Sequence, residues 1–518
     1  MPEIRPIRAG HLVVLALILC AGIFLRWYKI GSTSLWTDEF LSMEVSSGHG
    51  YEDLMLSRNV ILPAPQKLVD LNSTGSWSQL FLSLKGSNHP PLYFCVLRIW
   101  RTLWQSDSDV TTRSLSAVLS LLAILLAFDA VRWANGNTAA LWAAALLAVA
   151  SPQIEFSQET RGYMMLITFM MGCCAALARI ERLGFSRQRL AALILCAAGM
   201  LLTHYLSFAV IAALMIYVAI RFDRIISRKI LLSLLGVTFA FLIAWGPIMW
   251  AQSHNFFGRM TWMKELPENH VPMMFERFAT LPLRFFSSPQ MRPSAASYLG
   301  LVLFILPIPF LRKHPQLLLW CLIMWIDVLV IAVGDVTRST RGLLLIRYTL
   351  PAAAAANVLV AILFIHLRGW MRHIVPATLA LCAAMTLPLS YNRHKPDWHQ
   401  LADYIDHNCR SDSLFVLYPD ERSSAYTGLL DMGLSHYSQS WGQRPTVLLD
   451  RPADQKLIRQ FRPNKVIDVI SGSIEAQDII PGCKVLETIY FPEIGICSRV
   501  EMPPDEHTAS VWGITSLR

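Results

Sequence analysis

The chain's 518 residues are 54% hydrophobic and only 16% charged, with a mean hydropathy of +0.42. A soluble domain carries about 25% charged residues, so this composition, with apolar runs of about 20 residues, places the chain in a membrane. The formal net charge of +9 is spread in small groups between apolar runs, with no dense basic block interleaved with aromatics, and this excludes nucleic acid as a partner.

The first element is an apolar run from His11 to Ile30, preceded by Arg5 and Arg8. It has no small-residue cleavage site leading into a soluble protein, so it reads as a retained anchor. "SLWTDEFLSMEVSSG" follows. Thr37 is placed to cap a helix, with Asp38 and Glu39 in the first turn, where carboxylates complement the helix dipole. Phe40, Leu41, Met43 and Val45 make this a helix expected to lie on the membrane surface. There, partial desolvation would make a carboxylate a better base. "GSNHPPLYF" comes next, at 86–94. Pro90 and Pro91 start a helix over Pro91–Trp104. This helix is short and carries Arg98 and Arg101, so it is read as interfacial, with snorkelling side chains. The prolines leave Asn88 and His89 without a structural reason.

Further spans are expected at Thr112–Val131, Thr138–Ile154, Gly162–Ala178, Leu190–Thr203, Tyr205–Ile220, Ile230–Trp250, Ser297–Leu311, Gln316–Val333, Tyr348–Leu367 and His373–Leu389. Leu190–Ile220 as one helix would be about 46 Å long, too long for one crossing, so it is divided at Thr203-His204-Tyr205. With about eleven spans and the N-terminus inside, the arginine and lysine groups at 179–189 and 221–229 fall on the inner face, as the positive-inside rule requires. Residues 31–111, 155–161, 203–205, 251–296, 334–347 and the tail then share the outer face.

Every unusual polar motif falls in those outer segments. "SPQIEFSQETRGYMML" sets Glu155, Glu159 and Arg161 at the mouth of a span, costly unless they pair or bind something. "LTHYLSF" sets His204 and Tyr205 at a hairpin end, where an aromatic-belt role is the plainer account. "STRGLLLIRYTLP" carries Arg338, Arg341 and Arg347 outside, against the orientation bias. Such a cluster suits an anion, and phosphate matches the guanidinium fork. Residues 251–296 lack a strong period and read as a loop over the outer cavity.

The tail, residues 391–518, reads as a small α/β soluble domain behind a membrane module of residues 1–390. "DWHQLADYIDHN" is a helix with Trp398, Leu401, Tyr404 and Ile405 on one face. "SLFVLYP" and "KVIDVIS" are buried strands, and "KVLETIYF" with "GICSRVEM" is a closing pair. Of ten cysteines, Cys409, Cys483 and Cys497 lie in this tail, and a Cys483–Cys497 bridge is left open for an oxidising compartment.

In this order, "WTDE", "HPPLY", "SP…SQETRGY", "THY" and "RYTLP" resemble the bacterial glycosyltransferase family 39 relatives of the protein O-mannosyltransferases. That group includes lipid A aminoarabinose transferases and rhizobial galacturonosyltransferases. The resemblance covers about residues 10–390, and the typical "SQEAR-Y" stands here as "SQETRGY". It implies a polytopic α-helical membrane protein of GT-C fold. It also implies transfer of a sugar from a polyprenyl-phosphate donor to a protein, lipid or polysaccharide acceptor on the periplasmic face of a bacterial inner membrane. Asp38 matches the general base and Glu39 its support. Glu159 and Arg161 match the second outer motif, with Glu159 counted as catalytic. His89 stands where relatives have His or Lys near the donor phosphate, and Arg347 is the candidate phosphate clamp. Tyr163, His204, Tyr205 and Tyr348 complete the substrate-binding set. Attack opposite a leaving phosphate implies inversion. No cofactor is required by these residues, and the absence of a DxD run among the outer loops leaves a divalent metal unindicated. The competing accounts are a transporter or flippase, which would more often show internal repeats and mid-span polar residues, and a non-catalytic partner in surface polysaccharide assembly, which would leave Asp38 and Glu159 dispensable.

Overall fold

The structure, a computed structural model, describes residues 6–50, 57–259, 263, 270–291, 295–367, 369–393, 395–410, 413–418, 430–461 and 464–502. The chain divides into two units, Met1–Ile30 with Leu84–Arg393, and Gly31–Ser83 with His394–Arg518. Residues 31–83, which the sequence groups with the membrane module, thus cluster with the tail.

The first unit is helical. Among its described residues, seven helices are long and apolar enough to cross a membrane: Ala9–Trp27, Asp109–Asn135, Tyr163–Leu183, Arg224–His254, Leu317–Arg338, Ile346–Phe364 and Met371–Tyr391. The pair Asn137–Val149 and Ser151–Ser157, bent by 58°, is either an eighth, broken crossing or a re-entrant loop. The expected division at residues 203–205 is present, between helices Arg187–Leu201 and Ser207–Arg221. Two expectations differ. Ser297–Leu311 is not one helix but a 3-10 turn (Ala295–Leu301), a short α-helix (Val302–Ile305) and another 3-10 turn (Ile308–Phe310). Pro307 and Pro309 each lack an N–H and crowd the preceding turn, so the apolar run cannot continue as a helix. The supposed loop at 251–296 instead contains a helix, His270–Arg284.

Small residues let the helices approach closely. Ala139, Ala140, Ala143 and Ala144 are fully buried, as are Ala352 to Ala355, and their two helices pack together. At the bend near Ala150, carbonyls of the broken helix need new donors. Arg26, in the first span, supplies them: its guanidinium reaches Ala148 O at 3.0 Å, Leu147 O at 3.1 Å and Ser120 Oγ at 2.8 Å. An intramembrane arginine is thereby accounted for as a helix-end cap.

The second unit is built on a six-stranded sheet of order β1-β3-β2-β4-β6-β5, with β1 Ile61–Leu62, β2 Leu414–Tyr418, β3 Thr446–Leu448, β4 Val466–Ser471, β5 Lys484–Phe491 and β6 Gly495–Glu501. β3, β2 and β4 are parallel, whereas β6 and β5 close one edge antiparallel and β1 the other. Strand alternation divides the side chains between two cores. Phe415, Leu417, Ile470 and Cys497 face one, while Leu414, Val416, Val469 and Val500 face the other.

Helix Thr37–Ser47 belongs to the first of these cores. Phe40 and Met43 are fully buried there with Trp398, Leu401 and Ile405, and the Phe40 ring meets Trp398 edge-on at 6.1 Å. Its apolar face is therefore spent on protein rather than on lipid, which corrects the surface-helix reading. Its N-cap is Trp36, one residue before the expected Thr37. The Cys483–Cys497 pairing that the sequence leaves open is disfavoured, because the two residues lie in different cores.

Candidate active site

In the helical unit, three of the sequence motifs meet at Gly162. A Cβ on this residue would lie 3.3 Å from Tyr93 Cβ and 3.4 Å from Thr203 Cγ2, so glycine permits the close approach. The helix Leu92–Trp104 starts here, with Leu92 N–H donating to Leu202 O at 2.9 Å. Ser116 Oγ donates to Arg161 O at 3.2 Å and fixes the backbone of the second motif. Gln252 donates to Leu84 O at 2.6 Å and to His89 O at 3.1 Å, holding the turn before the prolines. It also accepts from the Tyr205 hydroxyl, which receives the Trp245 indole N–H at 3.1 Å. Tyr205 is thus a strut of this turn. Arg101, expected to snorkel, is fully buried and paired with Asp107 at 2.6 Å.

Two histidines face each other in this place, ring centroids 4.8 Å apart and edge to face. Their partners assign opposite tautomers. His89 Nδ1 contacts Asn88 Oδ1, which makes it the donor and leaves Nε2 to accept from Arg161 Nη2 at 3.4 Å. His204 Nδ1 accepts from Leu206 N at 3.1 Å, so its Nε2 carries the proton. That Nε2 is buried and has no hydrogen-bond partner among the described residues. Tyr163 covers the His204 ring at 5.5 Å, with the Arg161 guanidinium 6.0 Å from the Tyr163 centroid. Burial pushes His204 down to about 3, with Arg161 adding to the effect. Burial, then Arg161, His204 and Arg347, hold His89 well below the ordinary imidazole value. Both rings are therefore neutral at physiological pH, among cations.

Arg347 reaches this cluster from a turn that is itself tightly held. The buried carboxylate of Asp335 accepts from Thr340 Oγ1 at 2.6 Å, Gly342 N at 2.6 Å and Leu343 N at 2.8 Å. Arg284 donates to Leu344 O at 2.7 Å. Arg347 then lies with its guanidinium 5.3 Å from the Tyr348 ring centroid. Arg338 ends the preceding span and is exposed.

Glu155 and Glu159 form a second cluster. The bend at Ala150 directs the short helix that carries Glu155, and Arg393 then bridges both carboxylates, contacting Glu155 Oε1 and reaching Glu159 Oε1 at 2.5 Å. Burial disfavours the Arg393 charge, but Glu155 and Glu159 outweigh it and raise its pKa. Gln290 donates to Glu155 at 3.3 Å. Ser390 links Ser288 at 2.9 Å with Ser151 at 2.6 Å around the same place. The Oε2 atoms of both glutamates are buried without a hydrogen-bond partner among the described residues. Arg393 is the residue that the sequence analysis missed. Its only signal is its position just after the last span, on the motif-rich side.

Asp38 and Glu39 lie in the α/β unit. Asp38 is half-buried in the first turn of its helix. Glu39 is fully buried, accepts from Trp36 N at 3.3 Å and pairs with Lys395 at 3.0 Å. Within its own unit, Glu39 therefore closes the helix start and anchors it to the segment after the last span.

The helical unit thus holds a buried, cation-lined cluster among helices long and apolar enough to cross a membrane. The family model "Dolichyl-phosphate-mannose-protein mannosyltransferase" matches residues 88–250, a stretch that includes His89, Glu159, Arg161 and His204. No curated relative matches the chain. The fold is similar to that of ArnT from Cupriavidus metallidurans in the apo state, with 13% identity, a TM-score of 0.55 and coverage of 95% of this chain and 98% of that one. It is also similar to the same protein bound to undecaprenyl phosphate, with 14% identity, a TM-score of 0.56 and the same coverage. The partial family-model match and the similar fold agree with the resemblance that the motifs carry.

Proposed function

We propose that this protein transfers a sugar from a polyprenyl-phosphate donor to an acceptor hydroxyl on the periplasmic face of a bacterial inner membrane, with inversion at the anomeric carbon. The observation that carries the reading is the buried Nε2–H of His204, without an acceptor among the described residues and set beside Arg161 and His89. A buried donor left unmade is costly, and a phosphate oxygen is the acceptor that cations around it favour. The similar fold of a protein bound to undecaprenyl phosphate supports the same class of donor.

In this reading Arg161, Arg347 and His204 take the charge that grows on the departing phosphate, and His89 orients Arg161. A sugar on a phosphate is already activated, so the remaining needs are alignment and one base. Asp38 is that base, removing the acceptor's proton as its oxygen attacks opposite the phosphate. Glu159, tied through one oxygen to Arg393, keeps the other for a substrate hydroxyl. Incubation of membranes with labelled polyprenyl-phosphate sugars, followed by mass spectrometry of the products, tests the reading. Transfer by the natural chain, lost in Asp38→Asn at normal membrane levels, is expected. Undiminished transfer by Asp38→Asn would overturn Asp38 as base, and no transfer by the natural chain with any such donor would overturn the reaction.

A further inference from the structure

We propose that Cys409 and Cys497 are joined by a disulfide in the mature protein, fastening the first helix of the tail to strand β6. The inference rests on the periplasmic placement of the tail given above. Cys409 is the residue that ends helix Trp398–Asn408, and Cys497 lies within β6. Both belong to one core cluster, at 6% and 2% exposure, and Cys409 is near enough to raise the Cys497 pKa. The approach is enforced from both sides. Arg499, two residues along β6 and so on the same face as Cys497, donates to Asn408 O at 2.6 Å. Arg444 donates to Cys409 O at 3.1 Å. The helix end is thereby pinned over the strand that carries Cys497. Cys483 is in the core on the opposite face of the sheet, its thiol directed to Ala476 O at 3.7 Å, and it remains a thiol.

The chemistry is thiol–disulfide exchange with a protein or small-molecule disulfide of the oxidising compartment. One thiolate attacks the oxidant's disulfide and forms a mixed disulfide. The second thiolate attacks the protein sulfur and releases the oxidant as two thiols. Two protons and two electrons leave the cysteine pair, and one S–S bond forms. The Cys409 contact and burial push the Cys497 thiol up, so the folded, reduced pair is a poor nucleophile. Closure therefore belongs to folding, before the core seals. The bond would enclose β2, β3, β4 and β5 in one loop and so restrict the unfolded tail.

The test is full-length protein purified from cells, unfolded in an alkylating agent without reductant, digested and analysed for linked peptides. A Cys409–Cys497 peptide with alkylated Cys483 is expected, retained in Cys483→Ser. A Cys483–Cys497 peptide would overturn the assignment. If cell-derived thiols are all alkylated, the reduced chain is next treated with glutathione disulfide in mild denaturant. Linkage of Cys409 to Cys497 only then overturns the tail's placement in an oxidising compartment, and with it the bond as proposed. No linkage in either arm overturns the proximity itself. None of these readouts depends on sugar transfer, so failure here is separable from failure of the proposed reaction.

Discussion

Around Glu155 and Glu159 the helical unit ties two buried carboxylates to a single guanidinium, whereas around His204 it surrounds an imidazole N–H with cations and neutral rings. The first cluster is braced by Arg393 beside a line of serines, with one oxygen of each glutamate left without a partner among the described residues. The second presents a buried donor. In the proposed function the first cluster braces the fold while keeping an oxygen for substrate, and the second is the receptor for the donor's phosphate. Buried opposite charges that satisfy one another hold elements in place, whereas buried donors in a positive field require an anion from outside.

Removing the bridging cation tests the scaffold most severely. Arg393→Ala leaves two uncompensated carboxylates, and losing one partner of a buried pair costs about 3–5 kcal/mol. A large fall in the unfolding temperature and in membrane levels is expected, with Arg393→Lys in between. Wild-type stability of Arg393→Ala would erase the distinction between the two clusters.

The receptor breaks differently. Arg347→Ala is expected to weaken use of the lipid donor about ten- to a hundredfold, as loss of a charge-assisted hydrogen bond implies, with normal folding and a smaller loss in Arg347→Lys. Steady-state kinetics over a range of donor concentrations reads this, and equal activity of both variants with wild type counts against a phosphate role. A weaker effect is expected one step back. Asp335→Asn loosens the turn that carries Arg347, and a rise in donor KM of about fivefold, with kcat nearly kept, corresponds to about 1 kcal/mol. An equal fall in kcat alone would remove Asp335 from donor positioning.

The smallest effect is on pH dependence. Both imidazoles have folded values below the ordinary 6.5, so the unfolded chain takes up protons first as pH falls. Their contribution to stability is whole above about pH 6.5 and is lost as the pH drops toward the folded values, about 3 for His204. His204→Gln should flatten this part of the unfolding-temperature profile, and an unchanged slope would argue against a buried neutral ring.

The sequence disclosed local features well and distant ones poorly. The proline start of helix Leu92–Trp104, the division at Thr203–Tyr205 and the strands of the tail follow from periods and turn residues that lie within a few positions. The run at 297–311 misled because hydropathy counts Pro307 and Pro309 as part of an apolar stretch, while the helix cannot absorb them. Phe40 and Met43 read as a membrane face because apolar periodicity does not say what covers it, and the cover is a core built with residues from the far end of the chain. β1 joins its sheet from Ile61 by pairing with Val447, a partner no local pattern names. Arg393 and Lys395 escaped for the same reason: an ion pair's register across hundreds of residues leaves no periodic trace. The basic cluster was visible as separate motifs, but the tautomers and the lone N–H of His204 became legible only from their neighbours.

Equilibrium binding of a radiolabelled polyprenyl phosphate without sugar, to the purified full chain in detergent, tests the receptor directly. The natural chain should bind it, and Arg161→Ala combined with Arg347→Ala should bind about a hundredfold more weakly while unfolding at a similar temperature. Equal affinity in the folded double variant would contradict the phosphate site on which the account stands.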